Sequence, residues 1–200
     1  MRAPISVVIP TLNAGQDLPG CLAALVEGLE AGLIRELVVS DGGSTDATLA
    51  IAAEAGARVV TGPASCGGQL RRGCAQAKGD WLFVLHADSW LAPGWTGHAE
   101  AALATPAAYW GTLRIRAGGP LPRLCAQLIN LRSRTMSMPR GMQGLLLPYP
   151  LYETHGGYPD QPVSAEIALA RRLRRHLRPL GAEVHVSAET CRAGGALRRP

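Results

Sequence analysis

The 200-residue chain is 47% hydrophobic and only 18% charged, which excludes a disordered polypeptide and suits one α/β domain with a core of ordinary size. Its formal charge of +5 is almost all arginine, since Lys78 is the only lysine; arginine suits phosphates and carboxylates, and no aromatic stacking pattern accompanies it, so nucleic acid is excluded as a partner. Five cysteines, odd in number and without a C-x-x-C pair, exclude a disulfide framework or zinc ribbon and point to a reducing compartment.

The first half alternates short apolar runs with amphipathic stretches. Ile5–Ile9 reads as a strand stopped by Pro10, and Leu18–Leu29 as a helix with leucines at 18, 22, 25 and 29. Glu36–Ser40 is a second strand ending in Asp41-Gly-Gly. Ser44, Thr45 and Asp46 offer N-caps for a helix over Ala47–Ala55, with Gly56 as its stop. Arg58–Thr61, a helix over Gly68–Lys78 and the strand Trp81–Leu85 complete a β-α-β-α-β-α-β order. Strands that are apolar throughout, rather than alternating, imply a mainly parallel sheet with helices on both faces. In such sheets ligands bind outside the carboxyl ends of the strands. Those ends carry Pro10-Thr-Leu-Asn13, Asp41-Gly-Gly-Ser-Thr-Asp46 and His86-Ala-Asp88.

The second half predicts a strand over Tyr109–Arg116, a helix over Leu121–Met136, a short strand at Gly144–Leu147 and a turn at Gly156–Pro159. A helix from Ser164 to Leu177, stopped by Pro179, would place Arg171, Arg174, Arg175 and Arg178 on one face. Glu166, Leu169, Ala170, Leu173 and Leu177 would then face the core. With no linker or repeat, the reading is a single domain over 1–200, its two halves meeting at about residue 92. No apolar run approaches the roughly 20 residues that cross a bilayer, and the N-terminus shows no leader pattern. The expectation is a cytoplasmic protein whose arginine face is open to peripheral contact with anionic lipid.

The strand-end motifs Val7-Val-Ile-Pro-Thr-x-Asn13, Val38-Val-Ser-Asp-Gly-Gly-Ser-Thr-Asp46, Ala77-Lys-Gly-Asp80 and His86-Ala-Asp88, with Gly156-Gly-Tyr-Pro159 and the Glu-bearing helix from Glu166, resemble the family 2 glycosyltransferases of the GT-A fold, most closely a compact bacterial subgroup. The resemblance implies transfer of a sugar from a nucleoside diphosphate sugar to an acceptor hydroxyl, with inversion. It implies that Pro10, Thr11, Asn13, Asp41 and His86 line the nucleotide pocket, and that Asp88, with His86, holds Mn²⁺ or Mg²⁺. Glu166 matches the family's catalytic Asp, one methylene longer, and becomes the candidate base. Gln143 falls in a loop assigned to the acceptor side. Arg71 or Arg72, in Gly67-Gly-Gln-x-Arg-Arg72, could reach the phosphates beside free backbone N–H groups, Arg71 being the residue chosen.

Departures from the family pattern are Ala165 in place of an acid, Met142 in place of an Asp, and Gly194-Gly-Ala196 without a tryptophan. Ala165 and Met142 support a second function, a non-catalytic nucleotide-sugar-binding protein. A nucleotidyltransferase is a third class, disfavoured because no glycine-rich, lysine-containing loop follows Ile9.

Overall fold

The computed structural model describes residues 3–115, 120–162 and 164–187; Arg116, Cys191 and Gly194-Gly-Ala196 lie outside them. The first half forms β1 (Ile5–Thr11), α1 (Leu18–Glu30), β2 (Ile34–Asp41), α2 (Thr48–Glu54), β3 (Arg58–Thr61), α3 (Cys66–Ala75) and β4 (Trp81–Val84). Then follow β5 (Ser89–Leu91), α4 (Trp95–Leu103), β6 (Ala108–Ile115), α5 (Pro120–Met136), β7 (Leu145–Pro148), α6 (Tyr149–Thr154), α7 (Ala165–Arg172) and β8 (Leu177–Val186).

One eight-stranded sheet runs in the order β3-β2-β1-β4-β7-β6-β8-β5. β1 is parallel to both β2 and β4, and β2 to β3, as expected of buried apolar strands. The second half joins through antiparallel β4–β7 and β6–β7 pairs, then a parallel β6–β8 pair, and antiparallel β5 closes the far edge on β8. The sheet thus crosses residue 92 without a break.

Alternation along β1 divides the core. Ile5, Val7 and Ile9 pack with Leu18, Cys21 and Leu25 of α1, Ala52 of α2 and Trp95 of α4. Val8 faces the other side, with Leu70 and Cys74 of α3 and Leu169 of α7. Helix α3 lies close against the sheet there because a Cβ on Gly73 would come within 2.6 Å of Val8 Cγ1.

Two sequence expectations change. The helix expected from Ser164 to Leu177 ends at Arg172, the chain turns through 173–176, and Pro179 sits inside β8. Arg174 and Arg175 therefore occupy a turn and Arg178 a strand, and the shared arginine face does not form. Proline is tolerated in β8 because β5 pairs only with Val184–Val186, leaving the strand flanked on one side at 179. The short elements β5, α4 and α6, and β8 itself, have no counterpart in the sequence reading.

Candidate functional site

The order β2-β1-β4 places three carboxyl ends side by side, with Thr11 opposite Asp41 and Leu85 N–H donating to Val8 O at 3.0 Å. The chain leaves β1 toward β2 on one side and reaches β4 on the other, so the crevice sits at a topological switch point.

At the β1/β2 end, Asp41 is fully buried. Its Oδ1 accepts from Thr11 Oγ1 at 2.9 Å and Ser44 Oγ at 2.5 Å, and its Oδ2 from the Gly43 and Ser44 N–H groups, both at 2.7 Å. Burial opposes the charge, but these four bonds outweigh it and hold the carboxyl below its ordinary range. Asp41 therefore organises the turn that shapes the pocket. Pro10 is buried at the end of β1. Asn13 is exposed with φ 50°, its N–H on Ser44 Oγ (2.8 Å) and its Oδ1 accepting from Thr45 N–H (2.9 Å), so it clips the two strand-end loops together. Asp46 accepts from Thr48 N–H at 3.0 Å just before α2.

Gln69, which has no role in the sequence reading, lies buried beneath this corner. Its Nε2 donates to Thr11 O at 2.7 Å and Ser40 O at 3.3 Å, and its Oε1 accepts from Ser65 N–H at 3.2 Å. The free N–H groups expected at the start of α3 are engaged: Gly67 N–H donates to Gln161 O, Gly68 N–H to Ser65 Oγ and Gln69 N–H to Ser65 O. Arg71 is exposed, and Arg72 is the arginine at the strand-two end, donating to Asp41 O at 3.3 Å and Pro63 O at 3.2 Å.

At the β4 end, His86 and Asp88 are joined by Glu166 from the first turn of α7. Glu166 Oε1 lies 2.9 Å from His86 Nε2, and Cys66 Sγ donates to the same oxygen at 3.5 Å. Burial disfavours both charges of the pair, yet their bond and mutual attraction win. They hold Glu166 below the ordinary carboxylate range and, with the charge of Asp88, raise His86. Cys66 is driven the other way, its thiol pushed well up by burial and by Glu166. Asp88 also borders Cys21, whose thiol is pushed up to about 12 by burial and then by that carboxylate. Gly141 roofs the pair: a Cβ there would come within 2.5 Å of Glu166 Oε1 and 2.6 Å of His86 Nε2. His86 Nε2 faces Glu166. Among the described residues, no group of three or more His, Cys, Asp or Glu side chains is placed to hold a metal by itself.

Gln143, expected on the acceptor side, is buried. Its Oε1 accepts from Ser133 Oγ (2.8 Å) and Arg140 N–H (2.9 Å), and its Nε2 donates to Gly111 O (3.2 Å) and Asn130 Oδ1 (3.3 Å). That saturates the amide, so its work is to fasten the 141–143 turn to α5 and β6. Met142 packs with Leu113, Ala126 and Val186, and Ala165 is buried against α3 and α6 residues; core packing accounts for an apolar residue at both positions.

Acidic and imidazole groups thus gather at the carboxyl ends of β1, β2 and β4, where open α/β sheets bind ligands. The chain belongs to Glycosyl transferase family 2, whose sequence model matches residues 6–150. It is 39% identical over 99 residues to a PGL/p-HBAD biosynthesis glycosyltransferase of Mycobacterium bovis, covering 46% of this chain and 38% of that relative. In structure it is similar to residues 1–349 of TarS from S. aureus, with a TM-score of 0.73 and 17% identity over 96% of this chain and 62% of that one. It is also similar to glucosyl-3-phosphoglycerate synthase from Mycobacterium tuberculosis in complex with Mn²⁺, UDP and phosphoglyceric acid, with a TM-score of 0.62 and 25% identity over 92% of this chain and 68% of that one. The fold is that of the GT-A glycosyltransferases, and the chain spans well under half of the curated relative's length.

Proposed function

We propose that this glycosyltransferase works as one domain and transfers with inversion from a nucleoside diphosphate sugar, with a divalent cation on Asp88 and Glu166 as the base for the acceptor hydroxyl. The carrying observation is that Glu166 arrives from the far half of the chain to within 2.9 Å of His86, in the crevice that holds Asp88. The donor set suits Mn²⁺ or Mg²⁺: one hard carboxylate, the other ligands coming from phosphate oxygens and water. Such a cation, when bound, offsets the charge growing on the leaving diphosphate. The solved synthase with Mn²⁺ and UDP supports this reading.

The chain's own residues do the rest. The Asp41 turn and Asn13 shape the base and ribose end of the crevice. His86 holds Glu166 through Oε1, and the carboxylate takes the acceptor proton. The acceptor oxygen bonds to the anomeric carbon as the carbon–diphosphate oxygen bond breaks on the opposite face. The test is calorimetric titration of UDP with and without Mn²⁺. Wild type should bind more tightly with the metal, and Asp88→Asn should erase that difference while keeping the fold. Equal affinity in wild type with Mn²⁺ and with EDTA would remove the metal from the mechanism.

A further inference from the structure

Helix α5 carries two apolar stripes where one is enough to seat it. Its inner side sets Ala126 and Ile129 against Leu113, Met142 and Val186, and its Asn130 donates to Leu113 O and accepts from Leu113 N–H, both at 2.9 Å. Leu121, Leu124, Leu128 and Leu131 recur at i, i+3, i+7 and i+10 on the other side. They are 71%, 50%, 56% and 58% exposed. At 100° per residue the four leucines fall within an arc of about 80°, along a helix about 25 Å long. Arg123 and Arg134 border the arc on one side and Arg132 on the other, and the helix has no Asp or Glu. By contrast, the exposed Val26 and Leu29 of α1 are an isolated pair beside Glu27 and Glu30.

We infer that the outer face of α5 docks on the surface of an anionic lipid bilayer. An unbroken leucine row rimmed on both sides by arginines matches the acyl–headgroup boundary, where leucines leave water and arginine stems reach up to lipid phosphates. Charge argues against a second copy and against residues 188–200 as the occupant. A second copy would bring arginine rim against arginine rim, and residues 188–200 add Arg192, Arg198 and Arg199 against a single acid, Glu189. The docking face is fixed relative to the site, because Ser133 and Asn130 bond to Gln143 and the turn it anchors carries Gly141 onto the His86–Glu166 pair. A bilayer on α5 therefore lies on the opposite side of this helix from the turn that carries Gly141. Docking does not depend on the reaction proposed above and is read without any sugar nucleotide.

The experiment is co-sedimentation of the full chain with vesicles of phosphatidylcholine alone or mixed with phosphatidylglycerol, at low and high salt. Binding is expected on the mixed vesicles only, falling steeply with salt as screening shortens the field. The double variant Leu124→Gln/Leu128→Gln should lower the bound fraction about tenfold at unchanged circular dichroism, and Arg123→Gln/Arg134→Gln should flatten the salt dependence. Arg171→Gln/Arg174→Gln, at the end of α7 and on the turn after it, should bind like wild type. Equal recovery with neutral and anionic vesicles overturns the inference. So does loss of binding confined to the Arg171/Arg174 variant, or a stable dimer by light scattering that Leu124→Gln/Leu128→Gln dissociates, since a second copy would then cover the stripe.

Discussion

The two ends of the crevice are built differently. At the β1/β2 corner, every acceptor position of Asp41 is filled by the protein, and Gln69 ties two strand carbonyls from below. At the β4 end, Glu166 Oε1 is held by an imidazole and a weakly donating thiol. The first corner is a structural knot whose polar groups are spent on shape. The second keeps charged groups under light restraint, as groups that must exchange a proton require. Changes at the corner should therefore register as lost stability, and changes at the pair as lost turnover.

The largest expected effect is at the pair. Glu166→Gln should lower turnover about 10²–10⁴-fold, the usual worth of a general base, with UDP affinity and the unfolding midpoint nearly unchanged. Steady-state kinetics beside denaturant unfolding would show it, and wild-type turnover in that variant would assign the base elsewhere.

Next comes the corner, where Asp41→Asn keeps the shape but turns an amide toward N–H donors. It should cost about 2 kcal/mol in denaturant unfolding. Acid should act the same way: the folded carboxyl titrates below its ordinary 3.8, so its stabilising contribution is complete above that value and fades as pH falls through the lower, folded one. A variant as stable as wild type with the same acid midpoint would show that the turn does not depend on the charge.

The smallest effect tests the boundary between the two. Gly141→Ala sets a methyl against both His86 Nε2 and Glu166 Oε1. Side-chain ends can shift where backbone cannot, so stability should hold while kcat falls about tenfold through misplacement of the base. Loss of stability with kcat intact would mean that the pair is as rigidly built as the corner.

This division also explains what could be read from the chain. The first four strands and three helices are written locally, in apolar runs punctuated by glycine and in residues that cap or stop a helix, and the structure follows them to within a few residues. Asp41, His86, Asp88 and Glu166 stand out because acids and imidazole at strand ends or on a core-facing helix stripe are chemically conspicuous. Gln69 and Asn130 gave no such signal, and Gln143 was expected only on the acceptor side. A buried amide acquires its meaning from backbone groups tens of residues away, which no local pattern records. The false arginine face arose because Leu173 and Leu177 continue the spacing of Leu169 after the backbone has stopped being helical. There, pairing of β8 with β6 outweighs the local pattern.

The antiparallel junction between β4 and β7 has a consequence for how the chain is made. Residues 5–84 hold a complete four-stranded parallel unit with β4 at its rim, and Trp81–Val84 there is apolar throughout. Leu145–Pro148, which pairs with that rim, emerges from the ribosome some sixty residues later. Until then the nascent protein displays a bare apolar strand of the kind that recruits other polypeptides. Besides contributing Glu166, the second half of the chain protects the first from its neighbours during synthesis.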